Sequence, residues 1–171
     1  MSITSSVRRA STSLTVAAGA AALGIGTAAA APAPSPIPQP TLGNVQFAGA
    51  LPEQIATNGN AAATAANAIA LGVSVDGGRA VANATNFSGP AAIAVGPASH
   101  AEAWGVNPGL AIAVAGPNST VRVSGTEPTQ CSGEWGLAGD FQTLTGCVVY
   151  MTPNGAVNVP LDSRPLLSSS R

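Results

Sequence analysis

The sequence predicts an all-β fold: an Ala/Gly-rich domain of stacked strands, of the β-solenoid or β-roll type, with a C-terminal disulfide-linked β-hairpin cap. Two features lead to this prediction. Apolar residues recur at every second position in short runs, which is the spacing of a β-strand. Glycine and proline interrupt these runs about every eight to ten residues, as expected for short strands joined by turns.

The alternation is clearest in three similar runs that begin at Ala68, Ala92 and Ala111. In each run, alanine alternates with isoleucine, leucine or valine. Two of the runs lead into the same corner, Gly96-Pro97 or Gly116-Pro117, and then into a second strand. The copies are about twenty residues long, and a unit of that size cannot bury its apolar face alone, so we expect neighbouring units to stack around one core.

The strand that follows the Gly96-Pro97 corner alternates larger, mostly polar residues with alanine. His100, Glu102 and Trp104 are expected on one face, and Ala101 and Ala103 on the other. The alanine face is predicted to line a thin interior in which leucine or phenylalanine would not fit.

Two parts of the repeat region depart from the plain alternation. Ala115 is an extra residue before the second Gly-Pro pair, and one extra residue turns later side chains to the opposite face unless a bulge absorbs it. We therefore predict a β-bulge at Ala115. The Ala-rich segment 59–72 has helical propensity, but its asparagines and glycines and its continuation into the repeat favour strand.

Residues from about 58 to 125 combine Ala-Ile-Ala runs, glycine corners and strands with alanine at alternate positions. In this they resemble the head repeats of trimeric autotransporter adhesins. Those repeats form a β-roll with small residues inside, and the resemblance implies the same stacked architecture here. In that family the repeats trimerise and serve adhesion; the oligomeric state of this chain is left open.

The C-terminal third contains the clearest hairpin signal. Residues 147–152 and 156–159 are rich in β-forming types and flank the turn Pro153-Asn154-Gly155, in which glycine is able to take a positive φ. Residues 140–146 are expected to supply a third strand. Four larger side chains are expected to gather here as a cap over the open end of the repeats: Trp135, Phe141, Leu144 and Tyr150.

Cys131 and Cys147 are the two cysteines of the chain. In an exported protein we expect them to form one intramolecular disulfide. A cross-link that closes a loop of this length stabilises the folded state by roughly 3 kcal/mol in the chain-entropy account. A redox or metal-binding pair would need closer spacing or a second pair of ligands.

Residues 1–30 have the pattern of a signal peptide. Arg8-Arg9 precede an uncharged apolar run over 11–26, and small residues then precede a cleavage point before Ala31. The alternatives are an uncleaved anchor and, because of the arginine pair, twin-arginine export. The segment predicts a secreted or extracytoplasmic cell-envelope protein that meets the membrane only through this segment during export.

Proline occupies every second position from Pro32 to Pro40. Each proline restricts its own φ and keeps the preceding residue out of the helical region, so an extended, semi-rigid spacer is expected. A ligand for a proline-recognition domain is the alternative. The predicted segments are 1–30 (signal peptide), 31–43 (spacer), 44–160 (β domain, with repeats at about 58–125 and the cap at about 126–160) and 161–171 (disordered tail).

The charge of the chain argues against two classes of partner. The chain has six arginines, no lysine and seven acidic residues, for a net charge of −1. Removal of the signal peptide leaves four arginines and a net charge of −3. Without a basic stripe we expect no binding to nucleic acid, and without a polybasic segment we expect no binding to anionic lipid.

The sequence shows no recognisable reaction centre. His100 is the single histidine, and Glu102 shares its strand face, but Ser99 points to the opposite face and cannot act as its nucleophile. One histidine and a disulfide-bonded cysteine pair cannot supply a zinc site, and no glycine-rich phosphate loop precedes a helix. We expect no catalytic residue, no metal and no cofactor.

Exposed aromatic residues are the remaining candidates for binding. Trp104 shares a polar strand face with His100 and Glu102, and Trp135 lies inside the disulfide loop. Side chains of this kind anchor protein or sugar partners. The alternative is that Trp104 packs against a loop or the cap and that Trp135 packs against the disulfide.

As a whole, the chain resembles small uncharacterised secreted proteins of actinobacteria, and that resemblance implies no particular activity. The expected function is that of a non-enzymatic secreted or cell-envelope protein of structural or interaction type, with cell-wall polymer or other envelope proteins as partners. A secreted carbohydrate- or ligand-binding module that uses exposed tryptophan is the main alternative. A hydrolase with an unrecognised site is the third.

Overall fold

Two β-sheets lie face to face and contain all the strands of residues 32–164, the part of the chain that this computed structural model describes. The predicted signal peptide and the last seven residues of the predicted tail lie outside the described residues. In chain order the strands are β1 (Ala33–Pro34), β2 (Thr41–Leu42), β3 (Val45–Ala50), β4 (Gln54–Asn58), β5 (Ala61–Ala65), β6 (Ala70–Val75), β7 (Arg79–Ala84), β8 (Ser88–Val95), β9 (His100–Gly105), β10 (Gly109–Ala115), β11 (Thr120–Val123), β12 (Gln130–Ser132), β13 (Trp135–Asp140), β14 (Thr145–Thr152) and β15 (Gly155–Asp162).

From β5 to β11 the chain crosses to the other sheet after every strand, so that each turn places one strand in each sheet. The seven-stranded sheet has the order β1-β4-β5-β7-β9-β11-β12, and the eight-stranded sheet has the order β15-β14-β13-β10-β8-β6-β3-β2. Within the coiled part, neighbouring strands are parallel. The predicted all-β solenoid is confirmed, with about four turns, and segment 59–72 contributes strands, as expected.

Alanine fills most of the interior between the sheets. The sheets approach so closely that a Cβ atom built on Gly72 would lie 2.6 Å from the backbone oxygen of Ala62. Not even a methyl group fits at Gly72, and most other inward positions are alanine, because sheets packed this closely leave no room for larger side chains. The fully buried alanines of the stacked strands include Ala65, Ala80, Ala82, Ala92, Ala94, Ala101, Ala103, Ala111, Ala113 and Ala115.

The bulge predicted at Ala115 is wrong. β10 pairs with β8 in an unbroken parallel register, with Ala115 opposite Ala94. The two copies differ at their corners instead: buried Ser99 follows Ala94 by five positions, whereas buried Ser119 follows Ala115 by four. A corner accepts an additional residue because its side chains need not alternate across a sheet.

The C-terminal hairpin is confirmed, but the third strand lies elsewhere. β14 and β15 are antiparallel, and Gly155 at their turn has a φ of 117°. The third strand is β13, which ends at Asp140, and residues 141–144 form a turn rather than the predicted strand. The Asp140 carboxylate holds this turn by accepting hydrogen bonds from the Gln142 backbone N–H (2.9 Å) and the Thr143 hydroxyl (2.8 Å).

The predicted disulfide is confirmed, and it joins the two sheets. Cys131 belongs to β12 of the seven-stranded sheet and Cys147 to β14 of the eight-stranded sheet, with a Cα–Cα distance of 5.9 Å. Both cysteines are buried at the C-terminal end of the alanine core, beside Ala138 and Val149 in the same cluster. The disulfide therefore connects the two sheets through their C-terminal strands β12 and β14.

The four larger side chains predicted to gather over this end do not form its core. Trp135, Phe141 and Tyr150 are 41–62% exposed and lie on the outer surface. The end is closed instead by small side chains and by hydrogen bonds between loops. The Ser119 hydroxyl oxygen, for example, accepts hydrogen bonds from the backbone N–H groups of Glu134 (2.9 Å) and Trp135 (3.0 Å).

The proline-rich segment 32–43 is extended and lies along the roll. β1 pairs in parallel with β4, and the N–H groups of Ala33 and Ser35 donate to backbone carbonyls on that edge. The described part of the segment is thus attached to the β domain. At the other end, residues 161–162 of the predicted tail belong to β15.

The thin interior predicts that the same substitution has unequal effects on stability at two neighbouring alanines of β8. Ala92 is fully buried, whereas Ala91 points outward. We expect Ala92→Val to lower the free energy of unfolding by about 1–3 kcal/mol through overpacking. The matched Ala91→Val should change it by less than about 0.5 kcal/mol. Urea denaturation of both variants measures the difference, and equal stabilities would contradict the described spacing of the sheets.

The cross-link between the sheets predicts a localised loss of stability. Replacing both cysteines by alanine should reduce the free energy of unfolding by roughly 3 kcal/mol. Amide hydrogen exchange should accelerate more in β12–β15 than in β7–β10, because only the C-terminal strands lose their connection. A uniform acceleration over all strands would contradict this account.

Candidate functional site

The outer surface of the eight-stranded sheet is apolar along its whole width. Along each strand, small buried residues alternate with larger residues that point outward, and the strand pairing aligns the outward residues into rows across the sheet. We call this surface the apolar face. Its central row is Phe47, Val73, Ile93, Val114, Leu137, Val148 and Val159.

Three further rows flank the central one, and they are also uncharged. The second row is Gly49, Leu71, Ala91, Ile112, Gly139, Gly146 and Leu161. The third row includes Val45, Val75 and Val95, and the fourth includes Ile69, Gly89, Leu110 and Phe141.

The apolar face is exposed in the described structure. Leu71, Leu110 and Leu161 have exposed fractions of 41%, 55% and 52%. Sheets with one solvated face normally carry polar side chains there, and contiguous apolar patches of this extent mark interaction surfaces.

A shallow trough crosses the C-terminal part of the apolar face. Gly139 and Gly146 form its floor, and Phe141, Leu144 and Leu161 rise around it, enclosing about 520 Å3. At its rim the Arg164 guanidinium donates to the Asp162 carboxylate at 2.9 and 2.6 Å. These side-chain hydrogen bonds, together with one from the Arg164 backbone N–H, lower the pKa of Asp162 to about 2.

The outer surface of the seven-stranded sheet is different in character. We call it the polar face. One row carries Arg79, His100, Thr120 and Ser132, and the next carries Val81, Glu102, Arg122 and Gln130. Trp104 points outward one row further along β9, beside Asn83 on β7.

Three charged side chains and the single histidine of the chain meet in one groove of the polar face, which has a volume of about 630 Å3. Arg79, His100, Glu102 and Arg122 all line it. The Arg122 guanidinium lies 3.7 Å from the Glu102 carboxylate, and both side chains are largely exposed. In a chain that is 8% charged, the collection of two arginines and the single histidine in one groove is the clearest polar feature of the described residues.

The structure brings together three of the four residues predicted as a binding surface. His100, Glu102 and Trp104 share the polar face, as their spacing on one strand implies. Trp135 lies at the start of β13 in the other sheet, with its indole against the backbone of Gly116. The two tryptophans therefore belong to opposite surfaces.

Ser99, the neighbour of His100 in the chain, does not reach the polar face. Ser99 is buried, and its hydroxyl donates to the Gly96 carbonyl at 2.7 Å. Across residues 32–164, no three histidine, cysteine or acidic side chains come together to hold a metal ion. Nor does this part of the chain contain a helix with the length and apolar character needed to cross a membrane.

The apolar face was not identified from the sequence, although a signal for it was present. Strands of the eight-stranded sheet alternate alanine with leucine, isoleucine or valine, so both of their faces are apolar. Strands of the other sheet alternate alanine or valine mostly with polar residues. Once alanine is known to fill the core, this difference between the strands places the larger apolar side chains on the outer surface of the eight-stranded sheet.

Comparison with known proteins assigns the chain to a family without an assigned activity. No curated protein and no solved structure shows significant similarity to it. The model of one protein family matches residues 1–150, which is most of the chain and includes both sheets as far as β14. The chain therefore belongs to the family of unknown function DUF6764.

Proposed function

We propose that the chain is a non-enzymatic, extracytoplasmic protein of structural or interaction type that acts through its apolar face. The single observation that carries this proposal is the central row of seven outward apolar side chains, aligned across the eight-stranded sheet, of which all but Val73 (9% exposed) are partly or largely exposed. Surfaces of this kind are retained in soluble proteins when they contact a partner.

The extracytoplasmic location is supported from two directions. The Cys131–Cys147 disulfide indicates an oxidising environment, since such bonds are rare in the cytosol. The N-terminal pattern of an arginine pair, an apolar run and small residues before Ala31 supports export by a signal peptide. We propose secretion, or retention in the cell envelope, on these grounds.

A matched pair of variants tests whether the apolar face is the interacting surface. Ile93→Lys places a charge in the centre of the apolar face, and Val81→Lys places one at a comparable, partly exposed position on the polar face. We expect Ile93→Lys to reduce retention on a hydrophobic matrix and binding of a dye specific for apolar surface, at low protein concentration. Val81→Lys should leave both unchanged.

Circular dichroism and quantification of the disulfide confirm that both variants are folded. If Ile93→Lys and the parent chain are retained equally, the apolar face is not available for contact and the proposal fails. If Val81→Lys has the same effect as Ile93→Lys, retention does not depend on this face, and the proposal also fails.

The polar face supports a second candidate function, the binding of a carbohydrate or other polar ligand. The observation behind it is the groove that collects Arg79, His100, Glu102 and Arg122, with Trp104 on the same strand face. Guanidinium and imidazole groups donate hydrogen bonds, and an indole offers a flat surface for a sugar ring.

An array of cell-wall polysaccharides and oligosaccharides tests the second candidate. Trp104→Ala should weaken binding by about tenfold or more, as for an aromatic anchor. Trp135→Ala is the matched control, since this tryptophan lies in the other sheet and its loss should leave binding intact. Absence of binding to any member of the array, or equal effects of the two substitutions, would count against a glycan site on this face.

A further inference from the structure

We propose that the apolar face is covered by the apolar face of a second copy of the chain, in a face-to-face dimer. This inference rests on the proposed function, because it names the partner of the same surface. It is carried by three properties of the face: its size pattern, its lack of charge and its area.

If a second copy places its second row against this one in the opposite order, the two rows are complementary in the size of their side chains. Across the sheet the second row contains Gly49, Leu71, Ala91, Ile112, Gly139, Gly146 and Leu161. A two-fold axis that lies between two copies and runs along β10 reverses this order in the second copy. Ile112 then meets Ile112, Ala91 meets Gly139, Leu71 meets Gly146 and Gly49 meets Leu161, so every larger residue away from the centre faces a glycine.

The trough in the apolar face acquires an occupant in this arrangement. Its floor of Gly139 and Gly146 would receive Ala91 and Leu71 of the second copy. The central row imposes no conflict, because its reverse places Val114 on Val114 and apolar side chains on apolar side chains throughout. An interface of this kind is isologous: each copy contributes the same surface.

The absence of charge restricts the partner to a flat, apolar surface. Apart from the Asp162–Arg164 ion pair at the rim of the trough, no charged side chain lies among the outward residues of β3, β6, β8, β10 and β13–β15 in the described structure. A partner with polar groups would lose their hydration without gaining hydrogen bonds from this face. A second copy meets the requirement and leaves the polar face of each protomer in solvent, on opposite sides of the dimer.

The area of the face approaches what a stable interface requires. From β3 to β15 there are six strand-to-strand steps, about 29 Å, and four rows extend about 20 Å along the strands. The flat area is therefore about 600 Å2 before the relief of the side chains is included, against about 800 Å2 of accessible surface per partner in a standard interface. Two apolar sheet faces also pack readily on each other, as in β-sandwiches.

Charge complementation across the predicted axis tests the dimer. Ala91→Lys and Gly139→Glu each place one charge on a contact between copies, and a Cβ atom at Gly139 meets no other atom within 4 Å. We expect sedimentation equilibrium of the exported chain to show a dimer, and each single variant to raise the dissociation constant at least tenfold. The double variant pairs lysine with glutamate across the interface and should recover most of that loss.

Ala62→Lys is the matched control. Ala62 is partly exposed, like Ala91 and Gly139, but it lies on the polar face, so this substitution should leave the dimer unchanged. A dimer or trimer that withstands Ala91→Lys and Gly139→Glu overturns the inference, since it uses another surface such as the edge of β15. A double variant that is no tighter than the weaker single variant overturns the predicted axis.

A chain that stays monomeric at high concentration also overturns the inference. Hydrophobic retention of that monomer then shows whether the proposed function fails as well. If that monomer is still retained on the hydrophobic matrix through Ile93, the apolar face contacts something other than a second copy. If retention is also lost, both proposals fail together.

Discussion

The close approach of the two sheets is the constraint on which the rest of the structure depends. A Cβ atom at Gly72 would collide with the Ala62 backbone of the other sheet, so this position requires glycine, and most other inward positions carry only the methyl group of alanine. Alanine at alternate positions satisfies this limit in every turn, and the roll can add turns without changing its thickness. Among the described residues, the nearly fully buried valines lie at the C-terminal end, at Val121 and Val123 in the last turn and at Val149 beside the disulfide.

Because alanine fills the core, most larger side chains lie on the outer surfaces of the sheets. Their chemical character differs between the two sheets. The eight-stranded sheet carries isoleucine, leucine and valine in aligned rows, whereas the seven-stranded sheet carries arginine, histidine, glutamate and tryptophan. Because strands alternate between the sheets, each turn contributes one apolar and one polar strand surface. The repeat thus produces a two-sided body: one surface suited to apolar contact and one suited to polar ligands.

Much of the fold could be predicted because it depends on local patterns. Alternation of alanine with larger residues, Gly-Pro corners and the Pro153-Asn154-Gly155 turn each specify structure within a few residues. The pairing of Cys131 with Cys147 followed from there being two cysteines. The errors depend on contacts that the local pattern does not contain. The additional residue lies in the corner before Ser99 and not in a bulge at Ala115. Residues 141–144 form a turn and not a strand because the Asp140 carboxylate accepts hydrogen bonds there. The apolar face was missed because single strands do not reveal which sheet they will join, and only the register aligns Ile93 with Val114.

The alanine interior also affects how the protein responds to temperature. The heat-capacity change of unfolding arises mainly from apolar surface that becomes hydrated when the chain opens. Within one chain, most inward positions release only a methyl group, while many of the larger apolar side chains are already partly hydrated in the folded form. The curve of unfolding free energy against temperature is therefore flatter than for a domain of the same length with a leucine-rich core. Such a protein loses little stability on cooling and keeps a modest, nearly constant margin over a wide thermal range.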